Sequence, residues 1–253
     1  MVLDNFNLAG KTALVTGCNT GLGQGMALAL AQAGADVVGV NVSEPDETRA
    51  GVEALGRRFL DLRANLSDVS CIPDLVAQGR ALNGEIHILV NNAGIIRRED
   101  AIKFSEADWD DVMDLNLKSV FFLSQALAKV FMAQGKGGKI INIASMLSFQ
   151  GGVRVPSYTA SKSGVMGITR LMANEWASHG INVNAIAPGY MATNNTAALR
   201  ADEQRNGAIL DRIPAGRWGK PEDLAGPVVF LASTASDYVN GYTIAVDGGW
   251  LAR

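Results

Sequence analysis

The sequence predicts one α/β domain of three layers: a doubly wound parallel sheet of about seven strands with helices on both faces. Three observations lead there. Short apolar runs alternate along the chain with longer helix-forming stretches, the pattern of β-α repeats joined by short connections. Several runs are nearly continuous in Val, Ile and Leu rather than alternating, as strands covered on both faces are. The 253 residues are used up by those strands and their crossovers, so the expected domain is residues 1–253.

The elements follow in order. Thr12–Thr16 is the first strand and leads through a glycine-rich turn into an Ala/Leu-rich helix over Gly23–Ala33. Asp36–Val42, Arg58–Asn65 and Ile86–Asn91 are the next three strands. Ser105-Glu-Ala-Asp108 is a capping box that opens a long helix to Gln134. Lys139–Ser145 is the fifth strand, a helix covers Tyr158–Ser178, and Gly180 supplies its stop. Ile181–Ala187 is the sixth strand, Pro221 suits the first turn of a further helix, and Tyr242–Val246 completes the sheet.

Composition excludes several classes. With 48% hydrophobic residues and a net charge of −3 the chain is not disordered. The slightly acidic balance makes nucleic acid and anionic membrane poor partners. No apolar run reaches the ~18 residues of a membrane span, and the opening MVLDNFNLAGK lacks the basic and apolar regions of a secretory leader. Cys18 and Cys71 are the only cysteines, which points to a reducing compartment and a cytoplasmic location. His87 and His179 are the only histidines, so no Cys/His metal site is expected.

In a doubly wound sheet, ligands bind beyond the carboxyl ends of the strands, and chemistry-bearing residues stand there. Thr16-Gly17-Cys18-Asn19-Thr20-Gly21-Leu22-Gly23 follows the first strand. Its glycines permit a tight turn and close approach of a pyrophosphate, and the helix it opens favours negative charge. Tyr158 and Lys162 lie four apart on one helix face. A free phenol titrates near ~10, so a base at neutral pH needs roughly 4 kcal/mol of phenolate stabilisation from neighbouring positive charge. Ser145 ends the fifth strand, where a hydroxyl can bond a substrate oxygen, and Asn116 lies mid-helix against its propensity. Taken singly, each has an ordinary reading: a glycine turn, a surface pair, a tolerated polar residue.

Together, in this order and spacing, the segments resemble the short-chain dehydrogenase/reductase family over essentially the whole chain. The motifs are Thr16–Gly23, Asn91-Asn92-Ala93-Gly94, the tetrad Asn116–Ser145–Tyr158–Lys162, Pro188-Gly189 and Val246-Asp247-Gly248-Gly249. The resemblance implies a Rossmann-type fold, a nicotinamide cofactor and reversible alcohol/carbonyl chemistry. It makes Tyr158 the acid/base, Lys162 the ligand of the nicotinamide ribose and the group that lowers the Tyr158 pKa, Ser145 the partner of the reacting oxygen, and Asn116 the holder of a water in a proton path. It further places Gly17, Asn19, Thr20, Gly21, Leu22, Gly23, Asn41, Asn65, Leu66, Asn91, Ala93, Gly94, Pro188, Gly189 and Thr193 along the cofactor. Homotetramers are common among such proteins.

Two departures bear on the cofactor. Asn41 and Asn65 stand where Asp is usual in NAD-linked members. The expectation is still NAD, because Cys18, Asn19, Thr20, Asn41 and Ser43 carry no charge and Glu44 would repel a 2′-phosphate. Ile96–Asp100, Ile143–Gly151, Tyr190–Asn195 and Gly248–Arg253 resemble the branch acting on deoxy-sugar acids, 2-deoxy-D-gluconate or 2-dehydro-3-deoxy-D-gluconate, in pectin and uronate breakdown. Such a substrate needs a cation for its carboxylate: Arg154, Arg97 or Arg98. Met146 and Gln150 belong to the same expected pocket, Asn194 and Asn195 could serve hydroxyls, and residues 190–215 form the expected substrate loop. The competing readings are a 3-oxoacyl-thioester reductase and a non-catalytic dinucleotide-binding protein.

Overall fold

The computed structural model describes residues 1–253. The strands are β1 (Thr12–Thr16), β2 (Asp36–Asn41), β3 (Phe59–Arg63), β4 (Ile88–Asn91), β5 (Gly138–Ile143), β6 (Ile181–Pro188) and β7 (Thr243–Val246). All pair in parallel, in the order β3-β2-β1-β4-β5-β6-β7. The helices are α1 (Gly21–Gln32), α2 (Asp46–Ala54), α3 (Ile72–Arg80), α4 (Glu106–Met113), α5 (Ser119–Gln134), α6 (Pro156–Trp176), α7 (Ala197–Ala201), α8 (Glu203–Arg212) and α9 (Ala225–Ala232).

The period-two geometry of the strands divides the core into two layers. Ala13, Val15, Val37, Ile88, Val90 and Ile141 face α1 and α9, whereas Leu14, Val38, Leu89 and Ile140 face α3, α5 and α6. Both faces of β1 are thereby buried, which is why TALVT is apolar without alternation. At the edges this relaxes: Phe59, Leu60 and Asp61 of β3 and most of β7 are half-buried.

The helix expected from Ser105 to Gln134 is interrupted. Ser105 does cap α4 through the Asp108 N–H, but residues Asp114–Lys118 form a π-helical turn before α5. The cause is Asn116, whose carboxamide is pulled out of the helix surface onto the backbone of Ile95. Pro221 likewise opens a 3₁₀ turn (Pro221–Leu224) ahead of α9. No helix is long and apolar enough to cross a membrane.

Candidate active site

The strand order reverses between β1 and β4, and there the loops leaving the two strands meet. Thr16 joins them: its Oγ1 accepts the N–H groups of Asn92 (3.0 Å) and Ala93 (2.9 Å). Asn92 returns the contact, donating its Nδ2 to the carbonyls of Thr16 (3.0 Å) and Gly17 (2.9 Å). Gly17 and Gly21 adopt left-handed φ of 63° and 60°. A Cβ on Gly23 would sit 2.1 Å from the Gly17 carbonyl oxygen, so α1 packs on the loop only with glycine there. Asn19, Thr20, Gly21 and Leu22 then present the open N-terminus of α1, and the Thr193 side chain lies where a Cβ on Gly21 would meet it at 3.7 Å. Such a cradle suits a pyrophosphate. Thr16 and Asn92 stand inside the two sequence motifs, and their joining role shows only once β1 and β4 are neighbours.

The other expected cofactor residues are held as follows. The Asn91 side chain is buried inside the sheet layer, donating to Ser124 (3.0 Å) and Asn142 (2.8 Å), so only its backbone borders the crevice. Ala93 packs against Gly17, and a Cβ on Gly94 would meet the Asn116 Oδ1 at 3.1 Å. Asn65 caps its own turn by accepting the Ser67 N–H, and Leu66 is core. Gly189 lies directly on Asp247, holding Pro188 at the end of β6. Asn41 is buried at the end of β2 with its Oδ1 unpartnered.

The surroundings of Asn41 also correct the expectation of a neighbourhood free of cations. Arg63 comes from the end of β3 to pair with Glu44, and Arg49 comes from α2. These positions are distant in sequence and adjacent only because β2 and β3 are neighbours.

The tetrad residues converge beyond β5. Ser145, half of a reciprocal Ser145–Ser148 cap, accepts the Leu147 N–H at 3.2 Å. Ser148 donates to the Lys162 carbonyl at 2.6 Å, tying this turn to α6. Lys162 is buried, and its Nζ donates to the Ile143 carbonyl at 2.6 Å and lies 5.6 Å from the Tyr158 ring centre. Burial pushes the Lys162 ammonium down to about 8. Burial also raises the Tyr158 phenol, opposed by the Ser145 hydroxyl and the charge of Arg98. Without a bound cofactor the balance of these groups favours the protonated phenol. Asn116 donates to the Ile95 carbonyl (2.8 Å) and to Ser161 (3.4 Å) and accepts the Ile95 N–H (2.9 Å). Its carboxamide is committed to holding the loop after β4.

On the substrate side the arginines separate clearly. Arg97 is taken by Asp108 (3.4 Å) and Asp111 (3.0 Å), and Arg154 by Asp100 (3.0 Å) and Glu99 (3.6 Å). Both are paired in this structure, whereas Arg98 is not; Arg154, at a left-handed φ of 62°, clips two loops together, its carbonyl accepting the Glu99 N–H. Arg98, between them, is exposed, makes no ion pair, and is the arginine whose charge reaches Tyr158. Gln150 accepts from Arg212 of α8 at 3.3 Å, and Met146 packs with Ile209, Ile213 and Trp250 beneath that helix. Asn194 and Asn195 are exposed. His87 lies at the opposite edge of the sheet, and His179 is exposed at the end of the turn that follows α6.

A family model for enoyl-(acyl carrier protein) reductases matches residues 17–251. The chain is 76% identical over 253 residues, the whole of both chains, to the 2-dehydro-3-deoxy-D-gluconate 5-dehydrogenase of Escherichia coli strain K12. The chain belongs to the short-chain dehydrogenase/reductase family. Its fold is shared by another member from Agrobacterium tumefaciens, solved with bound NADP, at 58% identity and a TM-score of 0.94 over 99% of this chain and 100% of that one. A gluconate 5-dehydrogenase from Burkholderia cenocepacia, in complex with NADP and tartrate, is 38% identical with a TM-score of 0.94 over the full length of both. As a member of this family the chain is an oxidoreductase with a nicotinamide dinucleotide cofactor.

Proposed function

We propose that the chain is an NAD-linked dehydrogenase of a deoxy-sugar acid. It moves a hydride between the cofactor and a hydroxyl or ketone carbon of 2-dehydro-3-deoxy-D-gluconate or 2-deoxy-D-gluconate, in the breakdown of pectin and uronates. The observation that carries this reading is the Arg98 guanidinium, unpaired and close enough for its charge to act on Tyr158, a cation suited to the carboxylate of a small polyhydroxy acid. The names and full-length identity of the relatives support the same substrate class.

The glycine cradle, Thr193 and the crevice side of Asn41 fit a dinucleotide, with Lys162 at its ribose. When bound, the nicotinamide supplies or accepts the hydride. Ser145 holds the substrate oxygen. Tyr158 takes the hydroxyl proton in oxidation and returns it in reduction. The buried Lys162, with its ammonium lowered to about 8, passes the proton inward toward the π turn at Asn116. Arg98 fixes the acid end, and residues 190–215, carrying α7 and α8, cover the other side. Asn41 puts no cation at the end of β2, and Glu44 stands against a 2′-phosphate; both support NAD.

The enzyme is further proposed to work as a homotetramer in the cytoplasm. Half-exposed Phe122, Met132 and Leu171 on α5 and α6 support self-association, and the free thiols of Cys18 and Cys71 support a reducing compartment. Light scattering checks the assembly, and a monomer would remove it. The function is tested with a panel of deoxyhexonates and uncharged polyols, following NADH fluorescence. Turnover confined to the acids is expected; equal turnover of the polyols would overturn the reading.

A further inference from the structure

Beyond the ends of β2 and β3 the chain assembles a charge cluster from three segments. Arg63, the last residue of β3, donates its Nε to Asp61 at 2.8 Å and turns a terminal nitrogen to Glu44. Asp61 is also approached by Arg49 at 3.7 Å and by the Asn41 Nδ2 at 3.3 Å. The glycine loop borders the same place, since Asn19 donates to Ser43 at 2.7 Å. This is the adenosine end of the crevice, one strand away from the glycine cradle.

The two carboxylates are unequal. The Asp61 side chain is 10% exposed and held by two hydrogen bonds and the charge of Arg49, so it is fixed. The Glu44 side chain is 71% exposed and has Arg63 alone. Exposed ion pairs hold their partners weakly. A nucleotide 2′-phosphate brings close to two negative charges and a shape that a guanidinium matches with two hydrogen bonds.

We propose that Glu44 and Arg63 form a switch that sets the choice between the two nicotinamide dinucleotides. With the pair closed, the surface is neutral and takes the 2′-hydroxyl of NAD. When Glu44 swings into solvent, Arg63 stays anchored by its Nε on Asp61 and offers its terminal nitrogens to the 2′-phosphate of NADP. The protein therefore admits NADP as its second cofactor, through a cation on β3 rather than one in the glycine loop or just after β2. The inference rests on reading the crevice as the dinucleotide site.

The test is a binary titration of NADH and NADPH by fluorescence, without sugar acid, reading the ratio of the two dissociation constants. Glu44→Gln is expected to shift that ratio about tenfold toward NADPH, an effect that shrinks with added salt. Arg63→Met is expected to shift it at least tenfold toward NADH, and the double variant to behave as Arg63→Met alone. An unchanged ratio in Glu44→Gln, or a loss of NADPH binding in Arg49→Met that Arg63→Met does not show, overturns the switch and leaves the crevice reading standing. Failure of the wild-type protein to bind either dinucleotide overturns both. Glu44 is exposed enough that its amide variant does not threaten folding.

Discussion

The two edges of the sheet carry similar residues and treat them differently. At the amino edge the polar side chains are spent mainly on structure, although the buried Asn83 Oδ1 lacks a partner. Gln134 bonds both backbone groups of Ile86, Asn83 bridges Thr12 and Asp36, and Lys139 is shared by Asn182 and Asp237. At the carboxyl edge the groups are as well positioned but keep capacity in reserve. Lys162 has one carbonyl partner, Asn41 leaves a buried oxygen unpartnered, and Arg98 has no carboxylate at all. A buried polar oxygen lacks a partner at both edges, but only the carboxyl edge buries a cation without a carboxylate, Lys162, and an unpaired buried charge is the costlier of the two, so that edge is where a ligand completes the structure.

Breaking the working edge at its reactive atom gives the largest effect. Tyr158→Phe keeps the ring and removes the proton carrier, and is expected to lower kcat about 10³-fold or more. Binary NADH binding should persist. Activity within tenfold of wild type would refute the assignment of Tyr158.

Lys162 tests the same contrast through stability. An ammonium held near 8, against the ordinary 10.5, costs the fold about 3 kcal/mol at neutral pH. Lys162→Met should abolish turnover yet melt at a temperature several degrees higher. The sign is set by the lowered value. Below 8 the lysine is charged in both states and the penalty is complete. Between 8 and about 10 the folded protein sheds the proton while the unfolded chain keeps it, so wild-type stability should rise toward that of the variant. A lower melting temperature for Lys162→Met at pH 7 would show that the ammonium stabilises the fold.

Among the arginines, Arg98→Ala should raise KM for the sugar acid about 10–100-fold, the worth of a charge-assisted contact, with kcat less affected. Arg97→Ala and Arg154→Ala should act mainly through loop order, and so alter acids and uncharged polyols alike. An Arg98 variant that weakens both substrate types equally would place the carboxylate elsewhere.

These three arginines also show what the sequence could convey. Strand positions were legible to within a residue or two, because burial on both faces forces a continuous apolar run: Thr12–Thr16 was read as it stands, and Asp36–Val42 ends one residue beyond β2. Ser105 was legible as a cap because a cap is local. The break at Asn116 was not, since it depends on Ile95, 21 residues earlier in the chain. Nor was the sorting of Arg97, Arg98 and Arg154, which turns on acids of α4 and of the loop after β4. Arg63 escaped for the same reason, lying on β3 while its partner Glu44 follows β2.

The smallest effect belongs to the amino edge, where His87 shows what a fully committed titratable group does. Its Nδ1 accepts the Thr12 N–H at 3.1 Å, and its Nε2 faces Glu85 at 3.3 Å. A protonated ring could not accept that bond. Burial, with Lys11 and Lys136 nearby, lowers the His87 pKa, and the carboxylate of Glu85 only partly opposes them. Above about 6.5 the ring is neutral in both folded and unfolded chains, and its contribution is complete. As the pH falls below that value the unfolded chain binds the proton first, so stability declines until the depressed folded value is passed. Denaturation of wild type and His87→Asn between pH 7 and 5, above the range where carboxylates titrate, should show a downward slope in the wild type and a flatter one in the variant. Turnover should stay comparable in the two, because the joint of β1 and β4 lies at the far end of the strands from Tyr158. Parallel slopes would mean that the ring is not the group being titrated.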